Sequence, residues 1–214
     1  MKIAIMQPYF APYLGYFQLI NEVDVFVFYD DVNFINRGWI NRNTITINNE
    51  VKRFTIPLIR SSQNKKINEI DVNWGSKEIN KLLKTFRYNL KDKPKAIKII
   101  ESIFEDKPTS ISDMAIDSIK YFCKELGIQT KFEKSSEIEY KKSDDRLINL
   151  VNICKSKNIS NYVNAEGGHK LYTKRDFNVN GIDLKFLKGT PSTSILDLID
   201  SENIKESLLN YETI

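Results

Sequence analysis

The first thirty residues constrain the fold most strongly, because two strand-like patterns flank a helical one. Residues 2–7 (KIAIMQ) and 24–29 (DVFVFY) are short runs rich in β-branched and aromatic side chains, which is typical of buried strands. Residues 14–22 between them have helical spacing. Two strands joined through a helix require a crossover and therefore form a parallel pair. The sequence predicts a Rossmann-like βαβ unit with a ligand crevice at the carboxyl ends of its strands.

The rest of the chain predicts α/β architecture with a mixed sheet and two additions, in a single domain spanning residues 1–214. Residues 42–47 and 52–58 alternate apolar and polar side chains around Asn48-Asn49, which favours an antiparallel hairpin because asparagine tolerates a left-handed backbone. Residues 75–126 have helical spacing and predict a helical insertion that forms a lobe. Further strands are expected at 67–72, 130–133, 161–164 and 183–187, and further helices at 144–157, begun by Ser143, and at 202–210.

Composition and charge argue against several classes of protein. The net charge of +4 is spread among lysines and carboxylates, which does not suit a nucleic-acid interface. Two cysteines in apolar helical patterns and one histidine argue against a metal site. The chain is short for a pyridoxal-phosphate aminotransferase, so we expect neither metal nor this cofactor. Because no apolar run reaches the ~18 residues of a membrane span, we expect no membrane insertion and a cytoplasmic location; the aromatic content leaves surface for a homodimer.

The loop after the first predicted strand has the composition of a rigid binding loop. Pro8 and Pro12 restrict the backbone, and Gly15 lets the start of the next helix approach a ligand closely. Tyrosine rings stack on a base or a sugar, and a helix N-terminus favours an anion such as a diphosphate. We therefore predict substrate contacts in this loop at Gln7, Tyr9, Tyr13, Gly15 and Tyr16. The alternative is that the aromatic side chains belong to the core under a proline-rich turn.

A second polar cluster, residues 29–43, follows the second predicted strand and so opens on the same crevice. An aspartate here can act as general base or bind sugar hydroxyls, and the arginines can clamp a phosphate. A tryptophan can stack on a ring. We predict Asp31 as a catalytic residue and substrate contacts at Asp30, Arg37, Trp39, Asn41 and Arg42. The alternative is an Arg-Asp network that holds a long loop in place.

Two further turns carry candidate site residues. Residues 61–66 offer hydroxyl, amide and ammonium groups, which predicts substrate contacts at Ser62, Gln63, Asn64 and Lys65, although a solvated turn has the same composition. In residues 164–172, His169 is a candidate general base because its unperturbed pKa is near neutrality, and Glu166 is the competing carboxylate. The alternative for His169 is an ordinary turn residue. The turn's glycines permit close ligand approach, and the predicted substrate contacts are Asn164, Gly167, Gly168 and Tyr172.

Together these motifs resemble the WbqC-like family, whose members occur in bacterial gene clusters for O-antigen and other surface glycans. The resemblance extends over nearly the whole chain and rests on Gln7-Pro8-Tyr9-Phe10, Tyr29-Asp30-Asp31-Val32, residues 37–43, Gly167-Gly168 and residues 194–198. It implies a transferase that adds a glycyl or other acyl group to the amino group of a nucleotide-linked amino-dideoxy sugar. The implied partners are that sugar nucleotide and an activated acyl or aminoacyl donor.

Two other functions fit the same residues. The first strand, loop and helix are distantly similar to those of nucleotidyltransferases, in which ATP would activate the amino acid. Both histidines of the His-x-Gly-His loop of those enzymes are replaced here, and the chain has no phosphate-loop signature. The other alternative is a non-catalytic protein that binds a nucleotide sugar. The acyl donor and any use of ATP remain open at this point.

Overall fold

The computed structural model describes residues 1–190 and 193–214. The strands are β1 (Lys2–Met6), β2 (Val25–Phe28), β3 (Arg42–Ile47), β4 (Glu50–Thr55), β5 (Lys131–Lys134), β6 (Asn161–Ala165), β7 (Asp183–Lys188) and β8 (Glu212–Thr213). The helices are α1 (Leu14–Glu22), α2 (Lys77–Asn89), α3 (Pro94–Asp106), α4 (Ile111–Leu126), α5 (Arg146–Ser156), α6 (Lys174–Asn178), α7 (Ile195–Leu198) and α8 (Ile204–Leu209). None of these helices is long and apolar enough to cross a membrane.

The main sheet has six strands in the order β5-β2-β1-β6-β7-β8. Its first five strands are parallel, and β8 pairs with β7 in the antiparallel direction. The βαβ prediction is confirmed, since β1 and β2 pair in parallel with Ile3 opposite Val25. The direction in which successive strands are added reverses between β1 and β6. This is the order of the doubly wound nucleotide-binding folds, whose ligands bind at that reversal.

Alternate side chains of the strands enter two separate cores on the two faces of the sheet, as the period of two requires. On one face Ala4 and Phe26 pack with α1 and α4. On the other face Ile5 and Val27 pack with α5 and α6. The predicted helices of residues 75–126 are present as α2, α3 and α4, and they share the first of these cores: the ring of Phe122 lies 6.0 Å from that of Phe17 in α1.

The predicted hairpin is confirmed as the two-stranded sheet of β3 and β4. Asn48 and Asn49 have φ angles of 51° and 62°, the left-handed backbone that such a tight turn requires. The hairpin is tied to the main body through Asp197 of α7, whose carboxylate accepts a 3.1 Å hydrogen bond from the backbone N–H of Thr46.

Two predictions of secondary structure are wrong. Residues 67–72 do not form a strand, because Ile67–Glu69 is a single 3-10 turn in which the Glu69 carboxylate accepts from the Lys66 N–H at 2.9 Å. The fifth helix begins at Arg146 rather than at residue 144. Its N-cap is Asp145, whose carboxylate accepts from the N–H of Leu147 at 2.7 Å.

Candidate functional site

Polar side chains collect at the edge of the sheet where the parallel strands end. The loops that follow β1, β2, β5, β6 and β7 all reach this edge. Two clefts open there, and the connection between β2 and β3 contributes residues to both. We call them the Asp31 cleft and the aromatic cleft.

The Asp31 cleft has a volume of about 460 Å³ and lies between the loops after β2 and β5. This volume falls within the usual range of small-molecule sites. The cleft is lined by Tyr29, Asp31, Val32, Asn33, Lys66, Tyr140, Lys142, Ser143, Asp144 and Asn149.

Asp31 is a largely buried carboxylate, 9% exposed, that two donors hold in its charged form. Lys142 Nζ lies 2.6 Å from Asp31 Oδ2, and the Ser135 hydroxyl donates to Oδ1. Burial by itself raises the pKa of Asp31, but the hydrogen bonds from Lys142 and Ser135 outweigh burial and hold the pKa below its usual value. Asp31 is therefore ionised at neutral pH and is a negatively charged acceptor at the cleft wall.

Two tyrosines beside Asp31 keep their protons. Burial, followed by the charge of Asp31, raises the pKa of Tyr29 to about 12. Burial and the same carboxylate also raise the pKa of Tyr140. Both phenols are therefore O–H donors at neutral pH. A cleft that combines an ionised carboxylate with phenol donors can bind an ammonium group and stabilise a developing oxyanion.

The aromatic cleft has a volume of about 170 Å³ and lies on the opposite face of the sheet edge. Its lining consists of Tyr9, Pro12, Tyr13, Trp39, Asn43, Thr44 and Thr193, with no charged side chain among these described residues. Burial, followed by the neighbouring Tyr13, raises the pKa of Tyr9 to about 12. Trp39 is 51% exposed. This cleft therefore suits a flat, neutral group.

The other residues predicted as ligand contacts in the first loop pack inside the protein instead. Tyr16 is fully buried, and its hydroxyl donates to the Gln7 carbonyl at 2.9 Å. Tyr16 therefore holds the loop in place from the core and does not face a ligand. Gln7 itself is partly buried. Gly15 is buried against Gly189, where a Cβ on Gly189 would lie 3.0 Å from the Cα of Gly15. The predicted ligand contacts at Tyr16 and Gly15 are therefore replaced by packing contacts.

Asp30 and Asn41 also serve the fold. The Asp30 carboxylate, 2% exposed, accepts from the backbone N–H of Ser136 at 3.0 Å and from its hydroxyl at 2.7 Å. The Asp30 backbone N–H donates to the Ser135 hydroxyl oxygen at 3.2 Å, while the proton of that hydroxyl is donated to Asp31. Asn41 is buried, and its side-chain amide donates to the Ile56 carbonyl at 2.8 Å. Both side chains are bonded to the protein and neither lines a cleft, so they support the loops.

Other predicted residues of the loops are exposed or form turns. Arg37 is exposed and has a positive φ of 59°, while Arg42 Nε donates to the Gly38 carbonyl at 3.0 Å. In the turn after the hairpin, the Ser62 hydroxyl and carbonyl accept from the N–H groups of Asn64 and Lys65, and Gln63 is exposed. The Lys65 carbonyl accepts from Phe34. None of these residues lines either cleft.

The turn after β6 lies at the strand reversal but outside both clefts. His169 is exposed and stacks on Phe186, with ring centroids 3.5 Å apart. Glu166 and Gly167 are exposed. Gly168 is buried against Asn164, where a Cβ would come within 2.5 Å of the amide nitrogen. The structure thus does not bring Glu166 or His169 beside Asp31 in one cleft.

Tyr172 lies closer to the Asp31 cleft than the rest of that turn. It is within electrostatic range of Tyr29 and packs edge-on against Phe177 at 5.7 Å. Burial raises its pKa, so it too keeps its proton at neutral pH. Of the predicted site residues, Asp31 lines one cleft and Tyr9, Tyr13 and Trp39 line the other.

Sequence reasoning missed the residues that the segment between β5 and β6, which includes α5, supplies to the site. Tyr140, Lys142 and Asn149 all line the Asp31 cleft. The available signal was positional, since a strand was expected at 130–133, and pairing parallel to β2 brings its following loop to the same edge as the loop after β2. Within residues 1–190 and 193–214, no group of three His, Cys, Asp or Glu side chains converges as a metal site.

Comparisons with known proteins identify a relative and a family. The chain is 29% identical over 220 residues to "Uncharacterized protein Rv1507c" of Mycobacterium tuberculosis, and the match covers 92% of each chain. No solved structure matches the chain. The model of the WbqC-like protein family matches residues 7–196, a range that includes the described lining residues of both clefts. The chain therefore belongs to the WbqC-like protein family.

Proposed function

We propose that this protein is a transferase that acylates the amino group of a nucleotide-linked amino-dideoxy sugar, with glycyl or another acyl group as the transferred unit. The Asp31 cleft would hold the amino group and the acyl carbonyl. The setting would be the biosynthesis of O-antigen or another surface glycan.

One observation carries this proposal: an ionised, largely buried carboxylate lies in an open cleft beside phenols that keep their protons. In the reaction the amine nitrogen attacks the acyl carbonyl, a C–N bond forms, and the bond to the leaving group breaks. The amine must lose its extra proton, and the carbonyl oxygen gains negative charge before the leaving group departs. Asp31 can orient the ammonium group and accept its proton, and Tyr29 and Tyr140 can donate to the oxyanion.

A non-catalytic sugar-nucleotide protein is the second candidate. The pKa of Asp31 lies below its usual value, which favours binding a cation over accepting a proton. Such a protein would bind the same ligand through the same carboxylate without forming a product. The nucleotidyltransferase alternative would need ATP and a divalent cation, and stabilisation of the protein by that pair would favour it.

The test is a panel of nucleotide-linked amino sugars combined with glycyl and acyl donors, namely thioesters, aminoacyl-tRNA, and free amino acid with ATP. Thermal stabilisation reports binding, and mass spectrometry of the sugar nucleotide reports the added acyl group. We expect one pair to give an amide product. Stabilisation by sugar nucleotides without any product would favour the binding protein, and no stabilisation by any of them would refute both.

Variants assign the reaction to the cleft. Asp31→Asn keeps the size of the side chain and removes its charge, and we expect turnover to fall by about 100-fold or more. Asp183→Asn is the matched control, because Asp183 is exposed at the amino end of β7, on the opposite edge of the sheet. An Asp31→Asn enzyme that turns over like the control would contradict a catalytic Asp31.

A further inference from the structure

We infer that the aromatic cleft binds the base of a nucleotide and that Arg53, which stands beside it, binds the phosphate. The choice of a nucleotide rests on the proposed function, whereas the properties of the cleft do not depend on the transfer reaction.

The first argument is the chemistry of the cleft wall. Rings of Tyr9, Tyr13 and Trp39 line a space that has no charged lining residue in the described part of the chain. A phosphate or an ammonium group would lie there without a counter-charge, which is costly away from water. A nucleobase is flat and uncharged, and stacking on aromatic side chains is its common mode of binding.

The second argument is a set of polar atoms without protein partners. Among the described residues, nothing hydrogen-bonds the hydroxyls of Tyr9 or Tyr13, although burial raises the pKa of both. By contrast, the hydroxyl of the neighbouring Tyr16 donates to the Gln7 carbonyl at 2.9 Å. Tyr9 and Tyr13 are partly buried and line an open cleft, so a ligand in that cleft can reach their hydroxyls. The ring nitrogens and carbonyls of a base would supply one for each hydroxyl.

The third argument is the small volume of the aromatic cleft and the rigid loop that forms its wall. A volume of about 170 Å³ is below the usual range for a whole ligand, so the cleft holds one ring and leaves the remainder of the ligand outside. The loop that carries Tyr9 and Tyr13 is held firmly around Ala11, which has a positive φ of 45°. The Ala11 N–H donates to the Ser118 hydroxyl at 3.1 Å, and its carbonyl accepts from Ser194 at 2.9 Å. The cleft is therefore preformed.

Arg53 supplies the charge that the cleft lacks. Its Cζ lies 5.7 Å from the centre of the Trp39 ring, and the side chain comes from the exposed strand β4. Within the described residues it forms no ion pair with a carboxylate. The Arg53 guanidinium lies over the Trp39 ring and has no counter-ion among the described residues. It is therefore well placed to bind the phosphate of a nucleotide through two N–H groups.

The position of the two clefts fits one extended ligand. The aromatic residues pack with the α1 face of the sheet, and Tyr29 and Tyr140 pack with the α5 face. A ligand that reaches from one cleft to the other passes over the carboxyl ends of the strands near β1 and β6, where the strand order reverses. The base would occupy one face, and the amino sugar would occupy the Asp31 cleft on the other.

The test is a titration followed by the fluorescence of Trp39. Trp74, the second tryptophan of the chain, donates to the Pro108 carbonyl at 2.9 Å, and a Trp74→Phe background leaves Trp39 as the sole reporter. The probes are uridine, uridine and adenosine monophosphates, ribose 5-phosphate, and a free hexose. We expect the monophosphates to change the emission at the lowest concentration and uridine to bind more weakly, whereas ribose 5-phosphate and the hexose leave it unchanged.

Variants assign the two contacts by calorimetry. Trp39→Ala should weaken binding of the monophosphates at least fivefold. Arg53→Gln should weaken the monophosphates at least threefold and leave uridine unchanged, because only the former carry the phosphate. Tyr88→Phe and Arg175→Gln, both at exposed positions away from the cleft, serve as controls.

Three results would overturn the inference: no response to any nucleotide, wild-type affinity in both Trp39→Ala and Arg53→Gln, or equal binding of the hexose. The proposed function is judged separately. An enzyme that forms the amide product with an unchanged KM for the sugar nucleotide in Trp39→Ala and Arg53→Gln would refute the base site alone. Nucleotide binding at Trp39 without any amide product would refute the transferase alone.

Discussion

Asp30 and Asp31 are neighbours in sequence but have different roles: Asp30 stabilises the fold, and Asp31 lines a cleft. Substituting each by asparagine should therefore change the stability of the protein by different amounts. Asp30 accepts two hydrogen bonds from Ser136, and its backbone N–H donates to the Ser135 hydroxyl oxygen, so it ties the loop after β2 to the loop after β5. A hydrogen bond to a charged group contributes about 1.5–3 kcal/mol, and the exposure of Ser136 reduces its share. We therefore expect Asp30→Asn to lower the free energy of unfolding by about 3 kcal/mol.

That loss corresponds to a melting temperature about 6–12 °C lower for a chain of this length. Asp31→Asn should cost about 1 kcal/mol or less, because its partner Lys142 is mostly exposed. Urea unfolding and calorimetry of both variants, with Asp183→Asn as control, measure the difference. Equal stability of the Asp30 and Asp31 variants, or an Asp30 variant within about 0.5 kcal/mol of wild type, would refute the structural assignment of Asp30.

Three further predictions follow from the packing and the pKa shifts. Gly189→Ala should destabilise the protein by about 1–3 kcal/mol in urea unfolding, because its Cβ would meet Gln18 Oε1 at 2.7 Å and Gly15; Gly167→Ala, with open space around it, should change stability by less than about 0.5 kcal/mol, and equal effects would contradict the packing. Lys142→Met should raise the pKa of Asp31, so the acid limb of the pH-rate profile should move to higher pH; an unmoved limb would show that Asp31 does not control it. The folded-state pKa values of Tyr9 and Tyr29, about 12, exceed the unfolded value near 10, so both favour folding below about pH 10 and lose that contribution as pH rises towards 12; Tyr9→Phe should flatten this alkaline loss in thermal unfolding, and an unchanged slope would count against it.

The strands and helices were predictable wherever the sequence has a clear period. Residues 2–7 and 24–29 contain alternating or continuous apolar runs, and residues 75–126 repeat at helical spacing, so β1, β2, α2, α3 and α4 were all expected. The strand predicted at residues 67–72 was wrong because a side-chain hydrogen bond stabilises a turn there. The Glu69 carboxylate accepts from the Lys66 N–H and closes that turn. The short strand β8 has no sequence period and depends on pairing with β7.

Which polar residues reach the clefts was harder to predict, because burial and pairing are properties of the folded chain. Asp30 and Asp31 have the same chemistry in sequence, but the folded chain pairs Asp30 with Ser136, and only Asp31 lines a cleft. Tyr140 and Lys142 approach Asp31 from more than a hundred positions along the chain, a proximity that the order of β2 and β5 creates.

The most direct measurement compares two acceptors in the same assay: a nucleotide-linked amino sugar and its analogue with a hydroxyl group in place of the amine. Each is incubated with the acyl donor that the panel identifies, and the product is measured by mass spectrometry. We predict an amide product from the amino sugar alone, formed about 100-fold or more slowly by Asp31→Asn. Equal acylation of the hydroxyl analogue, or equal rates in wild type and Asp31→Asn, would contradict amine acylation in the Asp31 cleft.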